Sequence, residues 1–317
     1  MEQYRQQAQD VIEQVNRVIL GKEQEIRQIM LAFLANGHIL LEDIPGVGKT
    51  TLALAFSRAM RLDYRRIQFT PDVLPSDLTG FSIYRRDQER FVYREGSVFC
   101  NLLLADELNR TSPKTQSALL EVMEERRVTV EGVTREVPSP FLVIATQNPP
   151  GSAGTQYLPE AQVDRFTECL SIGYPDPESE LAMALGIREG NRVDEVRQVM
   201  DGETLLAAQK AVSEVYLKEE VARYLVELVR ATRNHRFLER GGSPRATIAL
   251  VRMARAAAWL DGRSFVTPND VSEQFPHVIR HRLVLSNTAR MEHAEREAVI
   301  AGIAGSVKKP SLGKKRW

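Results

Sequence analysis

Only two of the 317 residues are cysteine, Cys100 and Cys169, and both sit in apolar, strand-like surroundings. A disulfide framework is thereby excluded and a reducing compartment favoured. No run of about 18 apolar residues occurs, as a membrane span would need. The opening MEQYRQQAQD lacks the pattern of a secretory leader, so the expected location is cytoplasmic. Nor is there an excess of either charge. Lys+Arg number 42 and Asp+Glu 42, a balance that argues neither for nucleic acid nor for an anionic membrane as partner. What remains, 43% hydrophobic and 26% charged, is ordinary globular composition with chain enough for about two domains.

One stretch, HILLEDIPGVGKTTLALAFSRAMR (38–61), organises the rest. The apolar Ile39, Leu40 and Leu41 predict a buried strand, followed by a Pro/Gly loop and a helix with Leu52, Ala55, Phe56 and Ala59 on its buried face. Gly46 and Gly48 let successive backbone N–H groups turn inward on a phosphate chain. Lys49 opens the helix, where a cation opposes the dipole unless a polyphosphate sits there, and Thr50 offers a hydroxyl to Mg2+. The strict phosphate-loop pattern wants glycine at position 43, where this chain has Asp43. A plain glycine turn between strand and helix is the competing reading.

Before this stretch, residues 4–19 and 22–34 read as helices broken at Gly21. After it, residues 66–69 read as a strand. Phe81, Ile83 and Tyr84 face Phe91 and Tyr93 across Arg86-Asp87-Gln88-Glu89, predicting an inserted β-hairpin. Leu102, Leu103 and Leu104 form a second buried run that ends in Asp106 and Glu107. Placed after a phosphate loop, Asp106 suits Mg2+ through its water shell and Glu107 suits polarisation of an attacking water. Ser112-Pro113 caps a helix, and residues 128–137 alternate around Glu131-Gly132 as a second hairpin. Residues 141–145 make another buried strand, after which Asn148 orients a water or simply forms a turn. Arg165 follows a short helix as either a surface ion-pair partner or a cation for a neighbouring subunit's phosphate.

Gly173-Tyr174-Pro175-Asp176-Pro177 ends the alternating pattern, and everything beyond reads as helix. Thr267-Pro268-Asn269-Asp270 forms a capping box. Arg245 lies in the first turn of a helix capped by Ser243-Pro244, against the dipole. A functional cation and a merely exposed arginine are evenly matched there. His277 and His281 stand four apart, but Val278 occupies the position where a zinc protease needs Glu, so they read as surface or interface residues.

The wording LLEDIPGVGKT, LLLADELNRTSPKTQSALLEVMEE, IATQNP, LPEAQVDRF and SPRATIALVRMARAAA resembles the MoxR-type AAA+ ATPases, in that family's order, from about Leu20 to Arg282. The resemblance implies an α/β fold: a five-stranded parallel αβα core with a helix-2 insert (about 78–95) and a pre-sensor-1 hairpin (128–137), then an all-α lid. The expected divisions are 1–174 for the core, 175–304 for the lid and 305–317 for a basic tail. ATP and Mg2+ are the implied cofactors. Gly46, Gly48, Lys49 and Thr50 become Walker A, with Asp43, Pro45, Val47 and Thr51 completing the nucleotide contacts. Asp106 and Glu107 become Walker B, and Thr50 and Asp106 hold the metal. Asn148 is sensor 1, Arg165 an arginine finger entering from the next subunit, and Arg245 sensor 2, reading the γ-phosphate from the lid. Leu20 and Gly21, in the Ile19–Lys22 turn, line the adenine pocket. Asp43 is a variation of the MoxR type.

The same resemblance implies a homo-oligomeric, hexameric ring that remodels client proteins, among them partners with a von Willebrand factor A domain. A metal-chelatase motor subunit is a close rival, predicting a chelatase partner and a metallated macrocycle. A nucleic-acid motor rests only on the tail residues Lys308, Lys309, Lys314, Lys315, Arg316 and Trp317, and neutral overall charge weighs against it. A non-hydrolysing module fits poorly with Glu107 and two arginines, and a GTPase lacks its N-K-x-D motif.

Overall fold

Strongly amphipathic patterning produces α1 (Glu2–Asn16) and α2 (Glu23–Leu34), which lead into β1 (Ile39–Glu42). The loop opens into α3 (Lys49–Ala59), followed by β2 (Tyr64–Gln68), α4 (Pro75–Thr79) and the hairpin of β3 (Phe81–Arg85) and β4 (Arg90–Arg94). Next come β5 (Leu102–Asp106), α5 (Pro113–Glu125) and a second hairpin of β6 (Arg127–Val130) and β7 (Val133–Glu136). β8 (Leu142–Gln147), α6 (Glu160–Val163) and β9 (Glu168–Leu170) follow. The computed structural model describes residues 2–43, 46–148, 158–185 and 192–311. Pro45 and the tail residues Lys314, Lys315, Arg316 and Trp317 lie outside them.

The sheet runs β2-β5-β8-β1-β9 with every neighbouring pair parallel. Alternate side chains leave opposite faces of these buried strands, so each strand feeds two cores. Ile39, Leu41, Leu102, Leu104, Leu142 and Ile144 join one cluster, and Leu40, Leu103, Ala105, Val143 and Ala145 join the other. Both predicted hairpins stand outside the sheet as separate two-stranded ribbons. On the first, Tyr84 and Phe91 pair edge to face while Phe91 stays 71% exposed. Ser82 donates to Glu131 at 2.6 Å, tying the two ribbons together.

Beyond the Pro-rich boundary lie α7 (Pro177–Ala184), α8 (Gly202–Ser213), α9 (Glu219–Ala231), β10 (Leu238–Arg240) and α10 (Pro244–Leu260). α11 (Pro268–Ile279), β11 (Val284–Leu285), α12 (Asn287–Met291) and α13 (Arg296–Ser306) complete this helical part. Among the described residues, this expected all-helical lid also contains the short antiparallel β10–β11 pair and an isolated bridge between Tyr216 and Phe265. The anticipated caps form. Ser112 accepts from Thr115 N–H, Ser243 from Arg245 and Ala246 N–H, and Thr267 and Asp270 close a capping box. Apolar residues of α1–α3 and of α8–α11 share the first core cluster, so the N-terminal helices bridge the sheet and the C-terminal part. Among the described residues, no helix is long and apolar enough to cross a membrane.

Candidate functional site

Because the strands are parallel, the carboxyl ends of β1, β2, β5 and β8 meet at one edge of the sheet. Gln68 is paired with Asp106 there, and Glu42 with Gln147. Ligands of open α/β sheets bind at such an edge. Gly46 and Gly48 take φ of 92° and 87°, and a Cβ on either would meet no atom within 4 Å. Glycine is there for the left-handed turn rather than for want of space. Gly48 is the N-cap of α3, with Thr50 and Thr51 half-buried in the first turn and Val47 packed against the core. Lys49 is buried, and its Nζ donates to the Asp43 carbonyl at 3.0 Å. Burial lowers its pKa, against the opposing pull of Asp43, Asp106 and Glu107. Among the described residues this ammonium has no carboxylate within ion-pair distance, which fits a phosphate partner.

The Asp43 side chain turns the other way. Ser171 Oγ and Gly173 N–H donate to its Oδ1, each at 2.9 Å, and Ile172 N–H donates to Oδ2 at 2.6 Å. Its carboxylate therefore ties the base of the loop to the exit of β9, and only its carbonyl faces Lys49. Leu20 and Gly21 lie in the turn after α1, where Lys22 Nζ reaches the Tyr174 carbonyl at 2.7 Å. That turn meets the start of α7, the junction where an adenine was expected.

Asp106 and Glu107 end β5 as a rigid pair. Thr146 Oγ1 donates to Asp106 Oδ1 at 2.7 Å and accepts from Glu107 N–H at 2.8 Å. Arg66 Nη2 donates to the other Asp106 oxygen at 2.7 Å. Glu107 adopts φ 57°, ψ 45°, a left-handed conformation costing a non-glycine residue of order 1–3 kcal/mol. Its side chain accepts from Arg110 at 2.6 Å, Gln68 at 2.8 Å and Asn148 Nδ2 at 3.1 Å. Burial alone would raise the Glu107 carboxyl, but these bonds and the Arg110 charge outweigh it and hold the pKa below the ordinary value. Asn148 is fixed by reciprocal bonds with Asn109, and its buried Oδ1 has no partner among the described residues. An ionised carboxylate and an open amide oxygen side by side suit a polarised water. The hydroxyl of Thr50 and the carboxylate of Asp106 are hard oxygen donors, as Mg2+ requires.

Arg165 and Arg245 are elsewhere. Arg165 precedes β9, and the loop follows the end of β1, to which β9 runs parallel, so the two lie at opposite ends of the sheet. Arg245 Nη2 donates to Glu124 Oε1 at 2.5 Å, and Arg165 Nε sits 3.4 Å from Glu124 Oε2. The expectation that Arg245 reads a phosphate from its own lid is therefore corrected: α10 carries it to Arg165, away from its own loop. The reason is tertiary. Ser243 donates to both oxygens of Asp164 at 2.9 Å, which docks the start of α10 beside the Arg165 turn. The two arginines open on a cavity of about 470 Å3 that is also lined by Arg126, Arg252 and Asp164. His281 is half-buried, with Nε2 3.1 Å from the Phe166 carbonyl, and burial holds its pKa well below the ordinary value.

Arg66, Gln68, Arg110 and Thr146 were not anticipated. Arg110 had a local signal, standing three residues after Glu107, whereas the other three depend on strand register.

Residues 38–168 match the ATPase family associated with various cellular activities (AAA), and residues 230–303 match the AAA lid domain. The chain is 44% identical over 299 residues to the uncharacterised protein YeaC of Bacillus subtilis, covering 94% of this chain and 93% of that one. It is 41% identical over 308 residues to the chaperone MoxR1 of Mycobacterium tuberculosis, covering 94% and 81%. The solved structure of a candidate ATPase from Cytophaga hutchinsonii aligns with a TM-score of 0.89 at 38% identity, over 97% of this chain and 96% of that one.

Proposed function

The chain belongs to the MoxR-type AAA+ ATPases, and from that premise we propose that it hydrolyses Mg-ATP at sites shared between neighbouring copies of a ring, using turnover to remodel partner proteins. The observation that carries this reading is the division of charge. The loop, Lys49 and the Glu107–Asn148 pair occupy one end of the sheet, and Arg165 with Arg245 the other. Arginines so far from their own loop serve a phosphate only on another copy of the chain. A contact of this head-to-tail kind repeats from copy to copy and closes into a ring when the rotation permits. Six copies is the family expectation.

In this reading the loop amides and Lys49 hold the β- and γ-phosphates. Thr50 and Asp106 hold Mg2+, which when bound neutralises charge on those oxygens. Glu107 accepts the proton of the attacking water and Asn148 orients it. Arg165 and Arg245 enter together from the neighbouring copy and stabilise charge in the transition state. Leu20 and Gly21 border the adenine. A cytoplasmic setting accords with two free, buried cysteines. The exposed aromatic side of the β3–β4 ribbon is assigned to client contact, and a von Willebrand factor A domain is the partner type the family suggests. The relative named as a chaperone supports remodelling as the outcome.

Glu107→Gln tests the chemistry. It should retain ATP binding, measured by calorimetry, and lose about a hundredfold or more in turnover, the usual scale for removing a general base. Turnover within about twofold of the parent protein would refute the assignment of Glu107.

A further inference from the structure

The geometry points to Arg66 as a resident counter-cation of Asp106, one that occupies the metal-facing carboxylate until a divalent cation arrives with nucleotide. The inference rests on the Mg-ATP reading above. Both oxygens of Asp106 are engaged, Oδ1 by the Thr146 hydroxyl and Oδ2 by Arg66 Nη2, each at 2.7 Å. A hydrated Mg2+ needs this carboxylate as an acceptor, and although each oxygen keeps a second lone pair, the Arg66 guanidinium puts a like charge against the arriving cation and competes with it for Asp106.

The two donors differ in freedom. Thr146 is fully buried, and its hydroxyl also accepts the Glu107 N–H, so displacing it would orphan a backbone donor. Arg66 is 44% exposed at its side chain, on a long stem at the edge strand β2, and can swing into water without orphaning a backbone group. Its other bond, to Gln68 Oε1 at 2.8 Å, goes to a residue whose amide nitrogen donates to Glu107 at 2.8 Å. Departure of Arg66 thus removes a charge from Asp106 and a partner from Gln68 in one movement. Arg66 is a positioning residue: it acts through Asp106 and competes with the metal rather than binding it.

The test uses the full chain and Mn2+ as probe, read by electron paramagnetic resonance with and without a non-hydrolysable ATP analogue. Arg66→Gln should tighten Mn2+ binding about tenfold, the scale of one charge-assisted hydrogen bond no longer competing. Arg66→Lys, which keeps the charge, should stay within about twofold of the parent. Unchanged Mn2+ affinity in Arg66→Gln, or weaker binding, overturns the proposal while leaving the ATPase reading intact. If the parent protein binds no Mn2+ with the analogue, the underlying reading fails instead, and this proposal with it.

Discussion

Glu168 is fully buried at the start of β9, and among the described residues neither carboxyl oxygen has a hydrogen-bond partner. Burial pushes its pKa well above the ordinary value, so the folded chain keeps this group protonated where the unfolded chain ionises it. With a raised folded pKa, the unfolded state binds fewer protons above about pH 4.3, and stability falls as pH climbs from there toward the folded value. Glu168→Gln abolishes that loss. The variant should match the parent near pH 4 and gain in relative stability toward pH 8, as thermal melts across this range will show. A stability difference that does not change with pH would mean that Glu168 is ionised in the fold. Asp43 is the opposite kind of buried acid, satisfied by three donors around the exit of β9. Its departure from the general loop pattern thus has a structural cause, as the anchor between loop and last strand.

At the scale of elements, the joint between the sheet and the helical part turns on Arg282. Its Nε donates to Asp164 Oδ1 at 2.8 Å, and its Nη2 to the Phe166 carbonyl at 2.6 Å and the Asp164 carbonyl at 3.0 Å. Since Asp164 also receives Ser243, one carboxylate docks both the start of α10 and the end of α11 beside β9. Arg282→Ala leaves that carboxylate half-buried without its cation and should destabilise the protein by about 3–5 kcal/mol in denaturant unfolding. A loss below about 1 kcal/mol would show that the joint holds without it. Much of the fold was legible in the chain, because unbroken apolar runs such as Leu102-Leu103-Leu104 have few other uses than a doubly covered strand. Both ribbons were legible from alternation, and the caps from Ser-Pro and Thr-Pro. The β10–β11 pair was not, since three residues against two carry no hydrophobic period. Arg66 and Gln68 reach the carboxylates only through the β2–β5 register, which local pattern does not encode. Arg245 was legible as an arginine against the dipole, but which end of the sheet it serves depends on how α10 docks, and that is a tertiary fact.

At the scale of the molecule, the proposed function divides its residues between two ends of the sheet. The loop end presents Lys49, Thr50, Asp106, Glu107 and Asn148, and the far end presents Arg165 and Arg245 around the shared Glu124. Two guanidiniums on one carboxylate leave positive charge in excess at that face, which in the proposed function meets a polyphosphate on the next copy. The most direct measurement of this account mixes two inactive proteins, Lys49→Ala and Arg165→Ala, and follows ATP turnover as their ratio varies. An intact site then forms wherever an Arg165→Ala copy, with its loop whole, meets a Lys49→Ala copy that still carries the arginine. Random assembly predicts recovery that peaks near equal amounts, at about a quarter of the parent rate. Turnover that never rises above that of the separate variants, at any ratio, would contradict a site shared between copies.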